Sequence, residues 1–318
     1  SYMWADYQAG ERRMTPSCHE KPGCGGTRAQ KTELPPSYRL TTGGENDGHD
    51  EVGDMRVLIF GGSGQLGGIL ASTLASAPKV TDTELTVASA PRTIDIRDAQ
   101  LVGDYVSQVA PDWVVNAAAM THVDRAHSMP DLAMAVNANG AANIARAAQA
   151  TGSRTIQIST EAVFDGEASS PYSEEDPCRP VSVYGVSKLA GEQLVTILQP
   201  DSYVLRTSWL YSGRVGANFP TRLLEQLRSH HDPVPVVDDL FGNPTPATLL
   251  SQAISAVMAS PPAAGIYHVC CTGIASKYEW AVNIAESAGY PSSRILPVPS
   301  SAYPTPAKRP LHVDLSCD

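Results

Sequence analysis

The chain has 318 residues, 42% of them hydrophobic and 18% charged, which excludes a short disulfide scaffold and a wholly disordered polymer. With 23 Lys+Arg against 33 Asp+Glu the formal net charge is −10, which repels phosphate polymers and argues against nucleic acid as a partner. A small anionic ligand held by a few local donors stays compatible with that charge.

The six cysteines, Cys18, Cys24, Cys178, Cys270, Cys271 and Cys317, are too sparse and irregular for a disulfide framework and read as reduced cytosolic thiols. No apolar segment reaches the length of a membrane span and no apolar leader stands near residue 1, so the expected location is the cytoplasm, with no membrane partner.

Residues 1–54 are dominated by Gly, Thr, Pro, Glu and Asp and keep no helical or strand period; they are predicted to be a flexible extension. From Met55 the run MRVLIF predicts a strand over 55–60, and GGSGQLG leads into a helix over about 65–76. Strands then follow at 84–89, 112–119, 155–160 and 202–209, alternating with helices near 98–109, 131–150 and 183–198. Most of these strands are continuous apolar runs, as in a parallel sheet covered by helices on both faces. The pattern predicts an α/β protein with a Rossmann-type doubly wound parallel sheet over 55–209. After Trp209 helices near 217–229, 246–259 and 277–288, with the short strands VPVV and GIYHV, predict a smaller α/β lobe over 210–318, interleaved with the first.

Gly61, Gly64 and Gly67 follow the first strand and open a helix, where a dinucleotide pyrophosphate needs close backbone approach and free N–H groups. Within that turn Ser63, Gln65 and Leu66 are also candidate cofactor contacts. Strand ELTVAS runs into Ala90, Pro91 and Arg92 with no acid before Asp95. An acid at the strand end would accept from a ribose 2′-hydroxyl, whereas Ser89 and Arg92 can bind a 2′-phosphate, so NADPH is the expected cofactor, with NADH also accepted.

Tyr184 and Lys188 in YGVSK stand one helical turn apart, so both side chains enter the same space. Ser159 or Thr160 ends the strand TIQIST, at the sheet edge where ligands bind. A hydroxyl, a phenol and an ammonium form a proton-transfer set, in which the phenol protonates a carbonyl oxygen as hydride reaches the carbon. A Lys188 ammonium nearby is expected to acidify the phenol.

GGSGQLG, NAAAMTHVDRAHS, STEAVFDG, YSEEDPCRPVSVYGVSKLAGE, RTSWLY, VVDDLFGNPTPA, GIYHV and YPTPAKRP follow one another as in the dTDP-4-dehydrorhamnose reductase family of extended short-chain dehydrogenase/reductases. The chain resembles that family from Met55 onward. The resemblance implies NAD(P)H-dependent reduction of a 4-keto group on a nucleotide-linked deoxysugar. The spacing from Thr160 to Tyr184 matches the family's, which makes Thr160 rather than Ser159 the carbonyl-polarising hydroxyl. Tyr184 is then the proton donor, and Lys188 binds the nicotinamide ribose. Ala117, Ala118 and Ala119, after Asn116, resemble the segment beside the cofactor; Asn137 resembles its helix-side partner, Asp95 and Ile96 face the adenine side, and Trp209 resembles a sugar-contacting aromatic. The family usually carries STDYVFDG, so Glu161, which with Thr160 and Trp209 is an expected substrate contact, and Ala162 depart from it, and the loss of an aromatic is expected to open space beside the sugar.

Two other readings compete. A nucleotide-sugar 4,6-dehydratase needs an adjacent acid pair after the Thr, and only Glu161 stands there. A catalytically silent dinucleotide-binding regulatory subunit, similar to the methionine adenosyltransferase β subunit, is disfavoured by the intact Thr160, Tyr184 and Lys188. No apolar stripe prescribes an interface, and a homodimer stays open.

Overall fold

The computed structural model describes residues 55–76, 85–213 and 218–317. The expected extension over 1–54 lies outside the described residues. The first half of the chain alternates β1 (Met55–Phe60), α1 (Gln65–Ala75), β2 (Leu85–Ser89), α2 (Ala99–Val109) and β3 (Trp113–Asn116). It continues with α3 (Val123–Ser128), α4 (Pro130–Met134), a π-helical turn at Ala135–Gly140, α5 (Ala141–Thr151), β4 (Arg154–Thr160), α6 (Val183–Leu198) and β5 (Tyr203–Thr207). Beyond lie β6 (Leu210–Tyr211), α7 (Phe219–Ser229), β7 (Val234–Val237), β8 (Phe241–Gly242), β9 (Thr245–Pro246), α8 (Ala247–Ala259), β10 (Gly265–His268), β11 (Ala275–Ser276), α9 (Lys277–Ser287) and β12 (Ile295–Val298).

The main sheet has six parallel strands in the order β10-β5-β4-β3-β1-β2. Alternation along β1 divides the core. Val57 and Ile59 pack with Leu66 and Leu70 of α1 and Leu250 and Ile254 of α8, while Leu58 and Phe60 pack with Val102 and Val106 of α2 and Ile144 of α5. Both faces are covered by helices, which is why these strands read as unbroken apolar runs. Strand order reverses beside β1, and the crevice at that switch point is where an open α/β sheet takes its ligand.

GIYHV, expected in the smaller lobe, is instead β10, an edge of the main sheet in parallel register with Tyr203–Arg206 of β5. Helix α8 likewise packs its Leu250, Ile254 and Met258 with the α1 residues. The chain therefore leaves the sheet after β5 and returns to it. The smaller lobe's own core joins Leu223 and Leu227 of α7, Val234 and Val236 of β7, Trp280 and Ile284 of α9 and Ile295 of β12.

The helix expected over 131–150 is divided by the π-turn, because Asn137 turns inward there to bond the chain after β3. The strand expected over 202–209 stops at Thr207, and Trp209 adopts φ 38°, a left-handed conformation rare for a bulky residue. Among the described residues no helix is long and apolar enough to cross a membrane.

Candidate active site

Side chains alternate along β4, and the alternation separates two hydroxyls that the sequence leaves adjacent. Ser159 donates to the Glu192 carboxylate, inside the core. Thr160 points the other way, donates to the Glu161 carboxylate at 2.8 Å, and accepts from the Ala162 N–H at 3.2 Å. Of the two, Thr160 faces the site and Ser159 does not.

Helix α6 begins at the same sheet edge, capped by Ser182, whose hydroxyl accepts from the Gly185 N–H at 3.1 Å. Gly185 is a close-approach position: a β-carbon there would lie 2.1 Å from the Ala162 carbonyl oxygen. That contact sets the first turn of α6, which carries Tyr184, directly against the turn after β4 that Thr160 opens. Ala162, expected to open space beside a sugar, is buried, and its carbonyl lies against this helix start. Lys188 is buried one turn further on and donates to the Ile158 carbonyl at 2.6 Å.

The electrostatics differ from the expectation for Tyr184. Burial, and after it the Glu161 charge, hold the phenol above its ordinary value, with the Thr160 hydroxyl pulling the other way. Desolvation brings Lys188 itself down to about 8. Glu161 is raised by desolvation against the pull of Thr160.

A polar network braces this set. Asn137 accepts from the Met120 N–H at 2.7 Å and donates to the Met120 carbonyl at 3.1 Å and the Ser187 hydroxyl at 2.9 Å; Ser187 donates to the Tyr184 carbonyl at 2.8 Å. The segment Ala117, Ala118 and Ala119 is thereby tied to α6. Asn116 supports the same segment by accepting from the Ala118 N–H at 3.1 Å.

Across the crevice lies the turn between β1 and α1. Gly61 has φ 80°, and a β-carbon there would lie 2.7 Å from the Ala117 carbonyl carbon; at Gly67 it would lie 2.3 Å from the Gly61 oxygen. The backbone thus closes tightly around the turn. Gly64 caps α1 without a side-chain bond and no acid occupies the first turn, so the helix N-terminal N–H groups face outward with an anion-compatible field. Leu66 is buried, and the Gln65 side chain joins the lobes by donating to the Leu210 carbonyl and accepting from Asn218, so both offer backbone only. Arg92 donates to the Ser63 hydroxyl at 3.0 Å beside Ser89 and the turn. Asp95 is ion-paired to Arg97, which holds its carboxyl down to about 2, and Ile96 packs against Gly140.

Trp209 sits against Gly242, where a β-carbon would come within 2.6 Å of the indole, and stacks on Trp280 at 5.7 Å. The Lys277 ammonium lies 3.4 Å from the centroid of the Trp209 ring. Part of the indole surface expected to meet a sugar is therefore covered by a cation. Sequence reasoning missed Lys277, because Trp209 and Lys277 meet only through the tertiary fold. It also missed Gly185, although a glycine in the first turn of a helix is a visible signal of close approach.

The model of the RmlD substrate binding domain matches residues 55–318. The chain is 37% identical to the dTDP-4-dehydrorhamnose reductase of Escherichia coli K12 over 80% of its own length and 87% of that protein. A solved dTDP-4-dehydrorhamnose reductase from Clostridium acetobutylicum is similar with a TM-score of 0.76 and 36% identity, covering 82% of this chain and 90% of that one. The Bacillus anthracis enzyme of the same name, solved in complex with NADP, gives a TM-score of 0.77 and 33% identity over 83% and 91% of the two chains.

Proposed function

Because the chain belongs to the family of the RmlD substrate binding domain, we propose that it is an NADPH-dependent reductase acting on the 4-keto group of a nucleotide-linked deoxysugar. dTDP-4-dehydrorhamnose, the compound that names its relatives, is the first substrate to test. The observation that carries this reading is the start of α6, with Tyr184 and Lys188 one turn apart, packed against the turn after β4 where Thr160 faces the site.

The tight turn at Gly61 and Gly67 and the open helix N-terminus fit a dinucleotide pyrophosphate. Ser63, Ser89 and Arg92 would hold the 2′-phosphate, Asp95 and Ile96 the adenine side, Ala117 to Ala119 the central stretch, and Lys188 the ribose next to the nicotinamide. Bound NADPH supplies the hydride that reduces the carbonyl carbon. Tyr184 gives its phenolic proton to the carbonyl oxygen as charge develops there, so that C=O becomes CH–OH. Thr160 has a single proton, which it shares with Glu161, and polarising the carbonyl requires that proton to turn toward the substrate. The residues beyond β5, except those returning to the main sheet, form the wall that receives the sugar nucleotide, and the enzyme works in the cytoplasm.

The adjacent acid pair of a dehydratase is absent, since Ala162 follows Glu161. Incubating the protein with NADPH and dTDP-4-dehydrorhamnose and following absorbance loss tests the reading; binding of the dinucleotide without turnover on any 4-keto sugar nucleotide would favour a regulatory subunit.

Arg92→Ala is expected to raise KM for NADPH about tenfold or more, the scale of one charge-assisted bond, with little change for NADH. Steady-state kinetics with both cofactors check this. An unchanged NADPH constant would show that the loop does not read the 2′-phosphate.

A further inference from the structure

The segment from Leu311 to Cys317 touches three parts of the molecule. The Asp314 carbonyl accepts from the Tyr172 N–H at 2.7 Å, and the Ser316 N–H donates to the Tyr172 carbonyl at 2.8 Å. The Leu311 carbonyl accepts from the Phe241 N–H at 2.7 Å, and the Leu315 N–H donates to the Asn243 side chain at 3.0 Å. Tyr172 lies between β4 and α6, whereas Phe241 opens β8. The Ser316 carbonyl lies 3.1 Å from Nδ1 of His268, the last residue of β10. This segment therefore ties the chain after β4 to β8 and to the edge of the main sheet.

Two cysteines meet where it ends. Cys270, two residues past β10, is buried with Phe164, Tyr172, Val313 and Leu315, and the half-buried Cys317 packs against that cluster. The Cys270 and Cys317 sulfurs lie 2.7 Å apart, so a disulfide needs them to close by about 0.7 Å. Both are thiols in the structure. The other thiols nearby have different surroundings: Cys178 accepts from the Arg206 guanidinium at 3.2 Å, and Cys271, whose N–H donates to the Thr245 hydroxyl at 3.4 Å, is not part of the cluster. The hydrogen bond with Cys270 holds the Cys317 thiol below its ordinary value, while that bond and burial push Cys270 up. Cys317, the more exposed of the two, is thus also the better nucleophile.

We propose that Cys317 and Cys270 form a peroxide-responsive modification site, at which two-electron oxidation joins the two sulfurs and staples the C-terminal segment to the end of β10. The Cys317 thiolate attacks one oxygen of the peroxide, the O–O bond breaks, and the departing hydroxide takes a proton to become water, leaving a sulfenic acid on Cys317. The Cys270 sulfur then attacks the Cys317 sulfur; the S–O bond breaks, the S–S bond forms, and the oxygen leaves with the Cys270 proton as a second water. Two thiols are oxidised and one peroxide is reduced to two waters. The bond closes a loop spanning 47 positions that includes β11, α9 and β12, so it restricts the unfolded chain of the smaller lobe.

The test treats the full chain with one equivalent of hydrogen peroxide, alkylates the remaining thiols with iodoacetamide, and maps the peptides by mass spectrometry beside thermal melts. A peptide joining Cys270 to Cys317 should appear, the melting temperature should rise by about 10 °C, and dithiothreitol should reverse both. Cys271→Ser should keep the bond and the shift, whereas Cys270→Ser and Cys317→Ser should each abolish them. Should Cys270→Ser fail to fold, Cys317→Ser, at the half-buried position, decides alone. Alkylation of both residues after peroxide, a bond from either to Cys271 or to a second molecule, or sulfinic acid on Cys317 without a bond overturns the site. A Cys270–Cys317 bond that leaves the melting temperature unchanged overturns the staple.

Discussion

Tyr184→Phe is expected to lower kcat by about two to four orders of magnitude while leaving melting temperature and NADPH affinity close to native values. The substitution removes one oxygen from a half-buried ring and leaves the α6 cap, the Gly185 contact and the Lys188 bond to Ile158 untouched. What is lost is the phenolic proton nearest Thr160. Because burial and the Glu161 charge hold this phenol above its ordinary value, it stays protonated through neutral pH, and its own titration contributes no fall in rate there. The sign differs for Lys188: held down to about 8, it loses its charge as pH rises through that value, so native activity should decline on the alkaline side. A kcat profile over pH, with fluorescence titration of NADPH binding, checks both statements. Turnover near native levels in the Phe variant would remove Tyr184 from the proton-donor role.

The parts of this architecture legible in the sequence are those carried by local pattern. β1, the glycine turn and α1 could be read because an apolar run, close-packed glycines and a helical period are all expressed within about twenty residues. The pairing of Tyr184 with Lys188 was equally readable, since one helical turn suffices to bring them to one face. β10 was misplaced for the opposite reason. GIYHV is short, and its membership of the main sheet comes from pairing with β5 across an excursion of more than fifty residues, for which no local signal exists. The π-turn at Asn137 was hidden because its cause is a side chain bonding Met120, on another segment. The pKa of Tyr184 failed by a related route: the sequence places Lys188 near it, but only the fold reveals that Lys188 is bonded to Ile158 and that Glu161 stands closer in effect.

The same strand and helix that carry the site are pegged together one layer below it, and breaking that peg should be the most damaging single change to stability. Glu192 lies one turn beyond Lys188 on α6, is 2% exposed, and pairs with Arg206 of β5, also 2% exposed, at 2.8 Å. Its carboxylate further accepts from the Ser159 hydroxyl, so α6, β4 and β5 meet at one group, while Arg206 lies over the Phe164 ring at 5.2 Å. Glu192→Ala leaves a guanidinium buried without its counter-charge, a loss of about 3–5 kcal/mol. At the ~2–4 °C per kcal/mol typical of domains of 150–250 residues, the melting temperature should fall by about 10 °C. Removing both charges separates lost attraction from stranded charge. Glu192→Met with Arg206→Leu replaces the pair by apolar volume and should recover much of the loss, because the cost of a broken buried pair lies mainly in the partner left behind. Thermal melts of the native, single and double variants test the argument. A single variant melting within about 2 °C of native would show that water or a rearranged side chain solvates Arg206, and that Lys188 and Tyr184 are held in register by the Gly185 contact and the Asn137 network alone.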